Sequence, residues 1–116
     1  MVGTLRRAQD RAALRRATDY FKRAIESDPR YASAYNGLGA VYRMTENLDA
    51  AISCWGQAVE LDPNHKFALY NLGKAYLDKG DKAKALTYLT MYKDRFYKNL
   101  PAKEKSSLEA DLAKCR

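Results

Sequence analysis

Laid over itself with a shift of 34 residues, this chain of 116 residues matches in stripes. Leu38-Gly39 meets Leu72-Gly73, Tyr42 meets Tyr76, and Asp28-Pro29 falls on Asp62-Pro63. Ala17, Ala51 and Ala85 superpose, followed by Phe21, Trp55 and Leu89. A repeat of this length constrains the fold more than any other feature. Each unit is one supersecondary element that cannot bury its apolar face alone, so neighbouring units must stack to make a core.

The spacing inside the unit specifies helices. Tyr35, Leu38, Gly39 and Tyr42 stand at i, i+3, i+4 and i+7, one stripe of a helix. Gly39 lets a second helix approach closely, which offsets roughly 1 kcal/mol of lost helix propensity. On the following segment Ala51, Trp55 and Ala58 form a small-large-small stripe that can fill the gaps of the first. Pro63 cannot continue a helix and biases Asp62 out of the α region, while Glu46-Asn47 and Gly80-Asp81 supply turns. Ala, Leu, Lys, Arg and Glu dominate, with three prolines and six glycines. That composition favours helices throughout. The reading is six helices at about 5–27, 32–45, 48–61, 66–79, 82–98 and 102–115.

The period and its residues resemble the tetratricopeptide repeat, whose signature runs from a large residue through Leu-Gly, Tyr, Ala and an aromatic to Pro. Residues 32–65 carry all of it in Tyr35, Leu38, Gly39, Tyr42, Ala51, Trp55, Ala58 and Pro63. Residues 66–99 keep Leu69, Leu72, Gly73, Tyr76, Ala85 and Leu89, then depart with Tyr92 for the usual alanine and Tyr97 for the usual proline. Upstream only half a repeat is recognisable, in Ala17, Phe21, Ala24 and Pro29. The resemblance covers about residues 14–99. It implies an all-α fold, with antiparallel helix pairs stacked into a short right-handed superhelix. A single domain over 1–116 is expected: a long first helix with a partial repeat (4–29), repeats at 32–65 and 66–99, and a capping helix at 100–116.

Both ends leave the pattern. Residues 4–27 lack a glycine or proline where a first repeat would turn, and Ala12-Ala13 stand there instead. They read as one helix of about 23 residues, roughly 34 Å long, whose N-terminal half should project from the stack. Arg6, Arg7 and Arg11 near its start oppose the helix dipole. A cut from a longer array, self-association, and a contact with something acidic all account for that. At the other end, Asn99-Leu100-Pro101 breaks the chain. Leu108, Leu112 and Cys115 then form the apolar stripe of a cap, with lysines and acids covering the rest.

The chain is strongly basic at +7, and the distribution is informative. Residues 1–28 carry seven basic and four acidic side chains, residues 29–92 seven and six, and residues 93–116 seven and four. The surplus sits at the ends, a pattern that permits acidic partners without requiring nucleic acid. In the basic run Arg6, Arg7, Arg11, Arg15, Arg16, Lys22 and Arg23, acids intervene and no aromatic is interleaved before Tyr20. A solvated helix face is the economical reading, so nucleic acid is not an expected partner. No apolar run approaches the roughly 20 residues of a membrane span, and residues 1–7 do not resemble a signal peptide. Two cysteines and one histidine suggest neither disulfides nor a metal site. A soluble cytoplasmic protein is expected.

Nothing in the chain assembles into catalytic chemistry, and neither an enzyme nor a cofactor is expected. His65 follows Asp62-Pro63-Asn64 in a turn and reads as exposed or as a helix cap; Cys54 reads as a small filler beside Trp55. Binding remains. The resemblance implies that the first helix of each pair lines a concave groove. Beside the packing stripes run second stripes, Ser33, Asn36, Gly37, Ala40, Arg43 and Met44 on one helix and Phe67, Tyr70, Asn71, Lys74, Leu77 and Asp78 on the other. Asn36, Ala40, Arg43, Phe67, Tyr70, Asn71 and Lys74 are the candidate partner-binding residues. The asparagines suit an extended backbone, and Arg43 and Lys74 suit a carboxylate. Some family members hold acidic chaperone tails by a carboxylate clamp. Asn71 occupies one clamp position, but Gly37 replaces its counterpart one repeat earlier. The expected function is therefore a protein-binding adaptor for a peptide or helical segment. The alternatives are self-assembly, as a homodimer, through Leu5, Ala8 and Leu14 of the first helix, and, ranked below it, nucleic-acid binding by that basic helix.

Overall fold

A computed structural model describes residues 2–116, with side chains from Arg7 onward. Its helices are α1 (Val2–Ser27), α2 (Ala32–Met44), α3 (Leu48–Leu61), α4 (Lys66–Lys79), α5 (Lys82–Phe96) and α6 (Ala102–Lys114). The expected fifth helix to residue 98 instead ends at Phe96, and Tyr97–Asn99 form a 3-10 turn. Pro101 is the cause: it holds Leu100 extended (ψ 142°), and the chain tightens into a turn closed by Leu100 N–H on Tyr97 O.

Polar side chains cap α3, α4 and α5. Asn47, His65 and Asp81 each accept a hydrogen bond from the amide three residues on, at 3.3, 3.2 and 3.1 Å. His65 thus caps α4 through Nδ1. Its Nε2 lies 3.2 Å from Ser33 Oγ on α2. Gly80 closes α4 in the left-handed region at φ 86°, where a side chain would be strained.

Antiparallel pairs α2–α3 and α4–α5 stack side by side into a short right-handed superhelix, and α6 covers the last pair. Trp55, Leu69, Leu72, Leu89 and Leu108 are wholly buried, and Leu100, Leu112 and Cys115 carry the core into α6. Two glycines set the pair spacing. A Cβ on Gly39 would sit 2.6 Å from Trp55 Nε1, and one on Gly73 2.7 Å from Leu89 Cδ2. Gly56, in contrast, faces open space. Gly56→Ala should therefore raise the unfolding free energy by about 0.5–1 kcal/mol, seen as a higher urea midpoint at unchanged m-value.

The cysteines behave as fillers. Cys54 is half-buried and burial pushes its thiol up, against a smaller opposing pull from Lys22. Cys115 is buried; burial and then the Asp111 carboxylate raise its thiol, and its Sγ donates to Asp111 O at 3.4 Å.

α1 is one long helix, and it packs on α2 as α3 packs on α4. Ala51, Trp55 and Ala58 on α3 are buried, whereas their counterparts Ala17, Phe21 and Ala24 on α1 are only half-buried. No helix among the described residues pairs with α1 as α2 pairs with α3. The Phe21 ring lies against Gly37 of α2. Residues 7–11 are exposed, as expected for a projecting arm. Of the proposed self-association residues, Ala8 is exposed and Leu14 is half-buried in a groove with Ala13, Ala17, Val41 and Met44; the Leu5 side chain lies outside the described residues.

Candidate partner-binding groove

The second stripes of α2 and α4 meet side by side, and α6 packs against α4 and α5. Because the repeat sets the register, side chains about 35 positions apart meet across the helices. Asn71 Nδ2 donates to Asn36 Oδ1 at 3.2 Å, and Arg43 pairs with Asp78. The backbone carbonyl of Asn36 accepts from Trp55 Nε1 at 3.1 Å, which ties the groove wall to the core. Between these rungs Ala40 is exposed; one turn before Asn71, outside them, Phe67 is 64% exposed with its ring edge-on to His65.

The α4–α6 junction differs from the sequence expectation. The repeat pattern puts Tyr70 and Lys74 outside the packing stripe, yet Tyr70 is half-buried and both bond Asp111 of α6. Tyr70 Oη donates to Asp111 Oδ2 at 3.0 Å, and Lys74 Nζ donates to Asp111 Oδ1 at 3.0 Å. Asp111 is 4% exposed and was read as part of the cap's solvated face. A buried carboxylate must be fully partnered, and here both oxygens are. Burial, then the hydrogen bond to Asp111, pushes the Tyr70 phenol up to about 12. Tyr92 is also raised, by burial first and by Glu104 second.

These shifts carry a pH prediction. The folded state holds the Tyr70 proton more tightly than the unfolded chain, whose phenols titrate near pH 10. The contribution is complete below about pH 10 and disappears as pH rises through about 12. Thermal melts of the wild type should fall across that window. Those of Tyr70→Phe should start lower and slope less steeply.

Both cationic candidates are thus already paired from within, Arg43 with Asp78 and Lys74 with Asp111. Asn36 and Asn71 retain spare donor and acceptor capacity after their mutual bond. Phe67 and Ala40 present free surface. Where α4, α5 and α6 meet, Lys66, Phe67, Tyr70, Tyr92, Glu104 and Ser107 line a cleft of about 190 Å³. No group of metal-ligating side chains occurs among the described residues, and no helix there is long and apolar enough to cross a membrane.

A family model described as tetratricopeptide repeat matches residues 30–97. Over 103 residues the chain is 34% identical to the peroxisomal targeting signal receptor of Komagataella phaffii, covering 89% of this chain and 18% of the receptor. The chain spans less than a fifth of the length of such curated relatives. Among solved structures it is similar to the type III secretion chaperone SycD of Yersinia enterocolitica, in complex with a peptide of the translocator YopD. The TM-score is 0.79 at 19% identity, covering 92% of this chain and 82% of that one. It is also similar to the TPR2B domain of yeast Sti1 in its pHsp70 complex, with TM-score 0.78, 20% identity, and 96% and 91% coverage. At those identities the superpositions establish the fold.

Proposed function

The chain belongs to the tetratricopeptide-repeat family, and from that premise we propose that it is a protein-binding module whose groove holds a peptide or helical segment of another protein. The observation that carries this reading is the stripe Asn36, Ala40, Phe67 and Asn71. It is rigidly held by the packed helices yet contributes little to the core. An exposed phenylalanine beside paired asparagines offers an apolar anchor and backbone-pairing amides on one face. Two proteins of the same fold, SycD and the Sti1 domain, were solved with polypeptide partners, which supports the reading. Arg43 and Lys74 remain part of the proposed site. A partner carboxylate would reach them by exchanging with Asp78 or Asp111.

The test begins with peptides selected from a random library on the immobilised chain. Ala40→Trp fills the groove at an exposed position, so its melt should match the wild type. Affinity for the selected peptides should fall about tenfold or more. Equal affinity at matched stability would overturn the groove assignment.

A second reading, self-association through α1, is favoured by one observation. Ala17, Phe21 and Ala24 are half-buried where their repeat counterparts on α3 are buried, and Tyr20 beside them is 69% exposed. Light scattering over a micromolar concentration series should then show a dimer that Leu14→Arg abolishes. A monomer throughout would remove this reading.

A further inference from the structure

The cleft at the α4–α6 end of the groove is built from residues that also hold the cap, yet it leaves an open space lined by aromatic side chains. Its walls are aromatic and ordered. Tyr70 is pinned by its bond to Asp111, and its ring lies 5.0 Å from that of Tyr92, which in turn lies 5.5 Å from Phe96. Tyr92 stands where the preceding repeats have Ala24 and Ala58, so this aromatic wall exists only in the last repeat. Phe67 forms the rim and is largely exposed. At about 190 Å³, the space falls below the roughly 300 Å³ at which small-molecule sites begin, and suits one side chain.

Charge selects which side chain. Along the groove, Arg43, Lys74, Asp78 and Asp111 are consumed in mutual pairs. Glu104 lines the cleft, is exposed, and makes no ion pair among the described residues. The field of its carboxylate reaches both tyrosines, where it adds to the upward shift of their phenols. One cation opposes it at the rim. Lys66 lies with Nζ 6.0 Å from the Phe96 ring centroid, directed to an aromatic face. Aromatic faces with an unpaired carboxylate favour a cation that sheds water readily and can lie flat.

We propose that this cleft is an anchor subsite for an arginine side chain of the polypeptide held in the groove, its guanidinium over Tyr70 and Tyr92 and facing Glu104. The inference rests on the groove reading, but its test does not need the natural partner. The full chain is titrated with N-acetyl-arginine N-methylamide while the aromatic ring signals are followed by NMR. N-acetyl-glutamate and N-acetyl-leucine N-methylamides serve as controls. The arginine probe should shift the Phe67, Tyr70 and Tyr92 rings saturably, in the millimolar range, and more tightly than either control.

Two exposed or rim substitutions then report the sign of the field. Glu104→Gln should weaken the arginine probe about threefold, and Lys66→Ala should strengthen it by a similar factor. Opposite signs, equal binding of the leucine probe, or no saturable ring shift with arginine would each overturn the proposal. Those results would leave the Ala40→Trp outcome untouched, so failure of the cleft and failure of the groove are separable.

Discussion

Asp111→Ala is expected to lower the unfolding free energy by about 2–3 kcal/mol and the melting temperature by roughly 10 °C. The substitution removes the shared acceptor of two side chains on another helix. Tyr70 Oη and Lys74 Nζ both lose their partner at a site where Asp111 itself is buried. Truncating one member of a buried charged pair is far more damaging than replacing the pair, because the remaining groups stay desolvated without compensation. Lys74 keeps a path to solvent, which holds the effect below the upper end for such pairs. Asp111→Asn preserves an acceptor for the phenol and should cost about half as much. Urea unfolding of the two variants separates the charge from the hydrogen bond. Equal stability of Asp111→Ala and wild type would mean that the cap is not held through this residue.

Gly39→Val is expected to lose about 3 kcal/mol, although helix propensity alone would favour the substitution. The first added carbon would lie 2.6 Å from Trp55 Nε1 and 2.8 Å from Cδ1. The indole has no room to yield, since Trp55 is 1% exposed and its N–H is held on Asn36 O at 3.1 Å. Either the helices part or the indole gives up that bond. Overpacking a dense core by this amount typically outweighs the roughly 0.3–0.5 kcal/mol that valine returns as a better helix former than glycine. Because Asn36 belongs to the proposed site, the same change should also weaken the selected peptides. Circular-dichroism melts and peptide titrations on one sample distinguish the two effects.

Much of this architecture is legible because the repeat makes each position predict another. Leu38 and Leu72, Gly39 and Gly73, and Ala51 and Ala85 are buried in pairs, and α3 and α4 run over the expected residues. The reading weakens where the register is interrupted. Pro101 sets α6 out of phase with the 34-residue period, so Asp111 has no informative counterpart and passed for surface charge. A local signal was present: Leu108, Asp111, Leu112 and Cys115 stand at i, i+3, i+4 and i+7, which places the acid on the buried seam. Such an acid implies partners, and α4 supplies them.

The side chains beside the packing stripes were legible as a stripe but not in their pairing. Periodicity identifies Asn36, Asn71, Arg43 and Asp78 as the stripe left over from packing. It does not say that they would bond one another across helices, because that depends on helix spacing and crossing. Tyr92 shows the converse. Its departure from the alanine of earlier repeats was visible in the sequence, but its role as a wall beside Tyr70 emerges only when α6 closes the end of the stack.

The most direct measurement is a backbone and side-chain NMR shift map of the chain with a library-selected peptide. Perturbations centred on Asn36, Ala40, Phe67 and Asn71, fading across α3 and the outer face of α5, are the predicted result. A map centred on α1, or on the outer faces of α3 and α5, with those four residues unmoved, would contradict the account.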